Sequence, residues 1–187
     1  MALKALTREL QADERKQLLV HLLALSAEDR RLRFEHALSD DGLRHYVDGI
    51  DFSRDAVFVV TGDNLAVVGA AHLARSDGHA HLGVSVLPPG RGQGIGGALL
   101  ERSTARARNW GIRVMFMSCL VENAPMMHLA RRQGLNIAVS GPEAEAFVNL
   151  PRADLGSLAT EAVSEHLGLF DYAQKAHWLA LQSRLRS

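Results

Sequence analysis

The sequence predicts an α/β protein: a mixed, mostly antiparallel, twisted sheet flanked by helices, with a C-terminal helical extension. Three observations carry this. Residues 56–86 hold short β-branched runs separated by turn residues, which read as consecutive hairpins. A glycine-dense loop then opens a helix leading to a further strand, one β-loop-helix-β crossover. Residues 154–186 read as helix. At 187 residues and 47% hydrophobic content, the chain can bury one main core. Residues 1–150 are expected to form that domain, and residues 151–187 an extension packed on it or on a partner subunit.

In chain order, residues 3–10 suit a first strand. Leu18, Leu19, Leu22, Leu23 and Leu25 recur with helical spacing. Ser26 then caps a short helix, with Asp29 three residues on as its partner. Ser39 or Asp40 opens the next helix, carrying Leu43, Tyr46, Val47 and Ile50. Strands follow at residues 56–60, 65–73 and 79–86, with turns at Gly62-Asp63-Asn64 and Arg75-Ser76-Asp77-Gly78. A helix over residues 94–110 precedes a strand at 114–120, and a helix over 123–133 ends at Gly134. Residues 136–140 and 146–150 are two more strands around Gly141-Pro142. In the final helix, with a break at Gly168, Leu155, Leu158, Ala162, Leu169, Ala173, Ala176 and Leu179 define an apolar face that must be buried. This tail is expected to cover one flank of the reaction groove and to build a homodimer.

Basic and acidic residues balance at 21 each, so no nucleic-acid partner is expected. The densest positive spot, Arg30, Arg31 and Arg33, reads as a solvated helix face or a set of salt-bridge donors. A lone Cys119 among Met115, Phe116, Met117 and Leu120 reads as a buried structural thiol. The charged N-terminus resembles neither a signal peptide nor a membrane span, so a cytoplasmic protein with no membrane partner is expected.

The informative segment is Val84-Ser85-Val86-Leu87-Pro88-Pro89-Gly90-Arg91-Gly92-Gln93-Gly94-Ile95-Gly96-Gly97. Glycines let the backbone approach a ligand, and a helix start aims free amide N–H groups at one spot, an anion site. Arg91 adds a cation. A kinase-type phosphate loop would need a Lys-Ser/Thr pair that is missing. Gly92, Gly94 and Gly97 do fit a dinucleotide fingerprint, with Glu122 placed for a ribose. Residues 87–91 nevertheless separate it from its strand, antiparallel hairpins precede it, and only one crossover follows. A dinucleotide oxidoreductase is therefore the weaker alternative, and a ligand-free glycine turn the plainest one.

Val84-x-Val86 followed by Arg91-x-x-Gly94-x-Gly96 resembles the coenzyme A signature of the GNAT family of N-acetyltransferases. Asn123-x-x-Met126-x-x-Leu129-Ala130-x-x-x-Gly134-Leu135 is similar to the family's second motif, the helix beside the pantetheine arm. The likeness spans roughly residues 5–150, but only these two segments are specific. Residues 25–34 are similar to the opening of several bacterial members and leave the acceptor open.

The resemblance implies direct acetyl transfer from acetyl-CoA, as co-substrate, to a primary amine on a small molecule or a protein lysine. It implies cofactor contacts at Val84, Val86, Arg91, Gly92, Gln93, Gly94, Ile95, Gly96, Gly97 and Asn123, and a gap between the strands carrying Val84 and Val114. A lysine-like amine must first lose a proton, at a cost of roughly 4 kcal/mol near neutral pH. The family often places Glu three residues before the first Val of the signature. His81 stands there, either as the base or as a half-exposed strand histidine. The usual tyrosine that protonates the thiolate is replaced by Ala130, with Tyr46 and Tyr172 the only tyrosines. This opens a second reading, a non-catalytic acyl-CoA sensor. His79 and His81 share a strand face, but no further ligands suggest a metal. His128 is expected to face solvent.

Overall fold

The computed structural model describes residues 5–185. Its strands are β1 (Arg8–Glu9), β2 (Ala56–Thr61), β3 (Val67–Ser76), β4 (His79–Val86), β5 (Val114–Leu120), β6 (Asn136–Ser140) and β7 (Glu143–Asn149). They form one seven-stranded sheet in the order β1-β2-β3-β4-β5-β7-β6. Helices α1 (Arg15–Leu23), α2 (Ala27–Phe34) and α3 (Asp40–Asp48) precede β2. α4 (Ile95–Asn109) joins β4 to β5, α5 (Ala124–Arg132) follows β5, and α6 (Leu155–Leu185) comes last. The β4–β5 pair is parallel, as the α4 crossover requires, and every other pair is antiparallel. An all-parallel dinucleotide sheet is thereby excluded.

β2 is buried along its whole length because helices cover both faces of the sheet there. Ala56, Phe58 and Val60 enter a core with Leu73, Leu82, Val84 and the α4 residues Leu99 and Leu100. Val57 and Val59 face the other way, onto Leu18 and Leu22 of α1 and Leu43 and Val47 of α3. Both short helices are capped as their sequences suggest: Ser26 accepts from the Asp29 amide, and Ser39 from the Gly42 amide.

Several boundaries differ from the sequence expectation. The first strand is only Arg8–Glu9, although the Leu10 amide still donates to Val57 O at 2.8 Å; residues 3 and 4 lie outside the described residues. β3 starts at Val67 because Leu65 sits in the turn with φ 62°. β7 starts at Glu143, where exposed Glu143 and Glu145 alternate with buried Ala144 and Ala146.

The largest correction concerns α6. It is one unbroken helix, and Gly168 is not a break. That glycine is buried against the strand edge, where a Cβ would collide with the Thr7 carbonyl. The seat of α6 is polar. Arg102 of α4 binds Glu161 and Glu165 at 3.0 and 2.8 Å, Arg106 binds Glu9 and Glu161, and Lys175 reaches Thr61 O at 2.9 Å. Leu155, Leu158 and Leu169, expected on the buried face, are exposed, as are Val163, Leu167, Phe170 and Trp178. α6 lies along α4 and β1 and contributes no residue to the cleft described below, so the expected lid role has no place here. Among the described residues, no helix is long and apolar enough to cross a membrane.

Candidate functional site

β4 and β5 are paired only where His79, Ala80 and His81 face Val114, Met115 and Phe116. Beyond that point the strands part, leaving the inner edge of residues 82–86 without a ladder partner on the β5 side. Unpaired strand backbone is a row of donors and acceptors awaiting a partner. The gap opens into a cleft of about 750 Å³.

The loop after β4 shapes the outer end of the cleft. Leu87 enters a short 3-10 turn at Pro88–Gly90, and Arg91 to Gly94 lead to α4. Gly94 is the N-cap with φ 77°, a left-handed conformation that other residues adopt only at a cost. The Gly94 carbonyl accepts from Ala98, so the amides of Ile95, Gly96 and Gly97 belong to the first turn, which has no intrahelical acceptor. Gln93 Nε2 donates to Pro89 O at 2.7 Å and closes the loop on itself. Arg91 donates to Val86 O at 3.1 Å and pairs with Asp29 on α2 at 2.6 Å.

α2 spans the gap from above, touching both β4 and β5. It is tied to the far wall by Arg31–Glu122 at 2.7 Å and by Asn123 Nδ2 donating to Leu32 O at 3.3 Å. Asn123 also caps α5 by accepting from the Met126 amide. Glu122, considered above for a ribose, is thus engaged by Arg31.

Val84, Val86, Arg91, Gly92, Gln93, Gly94, Ile95, Gly96, Gly97 and Asn123 all line this one cleft. His81 does not. It stands at the last paired rung of β4, exposed, with its ring stacked on Phe116 at 5.5 Å and edge-on to His79 at 5.2 Å. His128 lies at the rim, exposed. Ala130 is fully buried in the core on the α4 side. Tyr172 lies under the Arg8 guanidinium and does not line the cleft. Cys119 is buried beside Met127, and burial, with Glu35 nearby, pushes its thiol above the usual range, so it is a packing group rather than a nucleophile. Among the described residues, no three metal-ligating side chains cluster.

Three features were not legible in advance. Arg132 of α5 lines the cleft with no ion-pair partner among the described residues. His21, on the apolar stripe of α1, is buried between Val67 O and Ser85 Oγ, each at 2.9 Å, and so fixes a cleft-lining serine. Burial, reinforced by Arg33, drives its imidazole toward the neutral form. Last, Tyr46, His72, Asp55 and Arg33 form one hydrogen-bonded chain from residues scattered over four segments.

Residues 19–135 match the acetyltransferase (GNAT) family. Among solved structures, the chain is similar to the GNAT domain of S. lividans PAT, with 21% identity, 77% of this chain and 89% of that one covered, and a TM-score of 0.66. It is also similar to an N-acetyltransferase from Staphylococcus aureus Mu50, with 16% identity, 79% and 99% coverage, and a TM-score of 0.63. A third likeness is to yncA from Salmonella typhimurium, solved with its cofactor acetyl-CoA, with 19% identity, 81% and 96% coverage, and a TM-score of 0.58. At such identities the likeness is one of fold. No curated protein sequence matches the chain. The parted parallel strands and the glycine loop at the start of α4 lie inside the matched stretch, and the chain belongs to the GNAT acetyltransferase family.

Proposed function

We propose that this protein transfers an acetyl group from acetyl-CoA to a primary amine by direct attack. The observation that carries the reading is the gap between β4 and β5, which runs directly into the helix start of α4. The residues present fit the donor: first-turn amides of α4 and the Arg91 guanidinium suit a pyrophosphate, and the bare inner edge of β4 suits a pantetheine arm with its own amides. When bound, acetyl-CoA supplies an activated thioester.

The remaining tasks fall to the chain. Backbone N–H groups of β4 near Val84 to Val86 would polarise the thioester carbonyl. His81, at the rung where the strands part, would take the proton of the incoming amine, since an imidazole can accept one at neutral pH. Arg91 and Arg132 at the outer end favour the anionic nucleotide half of the donor. For the exposed apolar side of α6 we propose a second copy of the chain as the cover.

One observation favours a second reading, a sensor that binds acyl-CoA without turnover. The family position that commonly carries the tyrosine acid is Ala130, buried and without a proton to give. Release of free thiol from acetyl-CoA across a panel of amines tests the two. Turnover on any amine supports the enzyme. Tight acetyl-CoA binding with no thiol release on any of them supports the sensor.

A further inference from the structure

Three arginines crowd α2, and two are spent on carboxylates. Arg30 pairs with Asp40 at 2.5 Å, and Arg31 with Glu28 and Glu122, each at 2.7 Å. Arg33 has no carboxylate partner among the described residues, and its one hydrogen bond is to Tyr46 Oη at 3.3 Å. Its other N–H groups have no acceptor among the described residues, its Cζ lies 4.8 Å from the Phe34 ring centroid, and it lines the inner end of the cleft.

The guanidinium is held there with care. It lies flat against β4 at Gly83, where any Cβ would overlap it. The Tyr46 hydroxyl that receives it sits 2.7 Å from His72 Nδ1, and His72 Nε2 lies 3.2 Å from Asp55 Oδ2. The proton order follows from the donors. Arg33 can only donate, so the Tyr46 oxygen accepts from it and gives its own proton to His72 Nδ1. That leaves Nε2–H for buried Asp55, which also accepts from the Arg75 amide at 3.1 Å. Every member is satisfied except the guanidinium at the end, which faces the cleft.

We propose that Arg33 binds a carboxylate on the acceptor, so that the acetylated amine belongs to a small amino acid rather than to a protein lysine. The inference rests on the acetyl-transfer reading above. A guanidinium engages a carboxylate through two parallel N–H groups, and a fixed fork loses little freedom in doing so. An acceptor carrying only an ammonium would meet this charge as repulsion, whereas an amino acid brings the counterion with it. The same charge favours the neutral, nucleophilic form of the neighbouring amine. The ring row of His81, Phe116 and Phe147 across β4, β5 and β7 gives such an acceptor an aromatic shelf on the open face of the sheet.

The test uses the full chain, with acetyl-CoA and the twenty amino acids against their carboxamides, read as thiol release. Acids should be preferred over matched amides by about 100-fold or more in kcat/KM. Arg33→Gln should remove that preference by raising KM for the acids far more than for the amides, and Arg33→Lys should restore part of it. A second arm needs no turnover: phenyllactate and lactate, which lack the amine, should bind the CoA-loaded protein in calorimetry, and Arg33→Gln should abolish this. Equal use of acids and amides, or undiminished hydroxy-acid binding by Arg33→Gln, overturns the proposal. Failure to bind acetyl-CoA at all would instead overturn the acetyl-transfer reading. If Arg33→Gln does not fold, Tyr46→Phe, which frees the guanidinium from its tether, should raise KM for acids and not for amides; an equal rise for both also overturns it.

Discussion

Asp29 Oδ1 lies 2.6 Å from Arg91 Nη2, an ion pair that ties the first turn of α2 to the glycine loop. Arg91 is half exposed, so the pair should add less than about 1 kcal/mol to stability. Its consequence lies in binding, because Asp29 neutralises the cation nearest the position proposed for the pyrophosphate. Asp29→Asn should leave the melting temperature nearly unchanged and raise acetyl-CoA affinity a few-fold at low salt, with the gain fading at high salt. Arg91→Ala should lower affinity about tenfold. Calorimetry at two ionic strengths checks both, and weaker binding by Asp29→Asn would instead make Asp29 an organiser of the loop.

Gly94 makes the loop's geometry testable in isolation. A Cβ there meets no atom of the described residues within 4 Å, so the penalty is conformational, roughly 1–2 kcal/mol for φ 77°. Gly94→Ala should fold and lose about tenfold in acetyl-CoA affinity, and Gly94→Val more. Unchanged affinity in both variants would remove the loop from the binding site.

His81 is the proposed base. His81→Ala should lower the rate about 10²–10⁴-fold with little change in acetyl-CoA affinity, and the shape of the pH–rate profile should change. An unaltered profile would leave His81 as an exposed ring stacked on Phe116.

His21 and His72 should weaken stability as the pH falls below neutrality. Burial holds both below their ordinary value near 6.5; Arg33 adds to this, while hydrogen bonds to Val67 O and Asp55 oppose it. The unfolded chain binds more protons there, so their contribution is complete above pH 6.5 and falls as pH drops below it, by up to about 1.4 kcal/mol per pH unit per histidine. Urea unfolding should show stability dropping between pH 7.5 and 5.5. His21→Gln should flatten that slope, and a slope identical to the parent would clear His21 of the effect.

Glu161 joins Arg102 and Arg106 beneath α6, with the Arg102 side chain only 3% exposed. Arg102 keeps Glu165 and Arg106 keeps Glu9, so Glu161→Ala removes part of a network rather than stranding a charge, and should cost about 1.5–3 kcal/mol in denaturant titrations. In light scattering, a second copy over the apolar side of α6 would give twice the 20.4 kDa chain mass. Leu167→Gln with Phe170→Gln should then return the monomer.

Local chemistry made much of this legible. The strand at Val114–Leu120 and the caps at Ser26 and Ser39 follow from residues within a few positions of one another. So does the turn at Gly94, because closely spaced glycines before a helix permit the left-handed conformation found there. The tail misled for a related reason: leucine spacing was legible, but the charges able to seat the helix, Arg102 and Arg106, lie in another helix. The Asp55–His72–Tyr46–Arg33 chain had no sequence signal at all, since its members meet only after β3 pairs with β2 and α3 docks. Arg33 itself was hidden by its neighbours, which are ordinary salt-bridge donors.

The three rungs between β4 and β5 make the sheet two half-sheets joined by a short seam. One half is β1 to β4, the other β5, β7 and β6. In the ligand-free chain, relative rocking of the halves would strain few hydrogen bonds, so amides near the seam should exchange earlier than those of β2 and β3. A donor lying along the bare edge of β4 would act as a splint, adding bonds to both halves at once. Saturation at a hundred times the dissociation constant stabilises by about 2.7 kcal/mol, and slowed exchange should spread from β4 into β5 and β7, although β7 touches no part of the cleft.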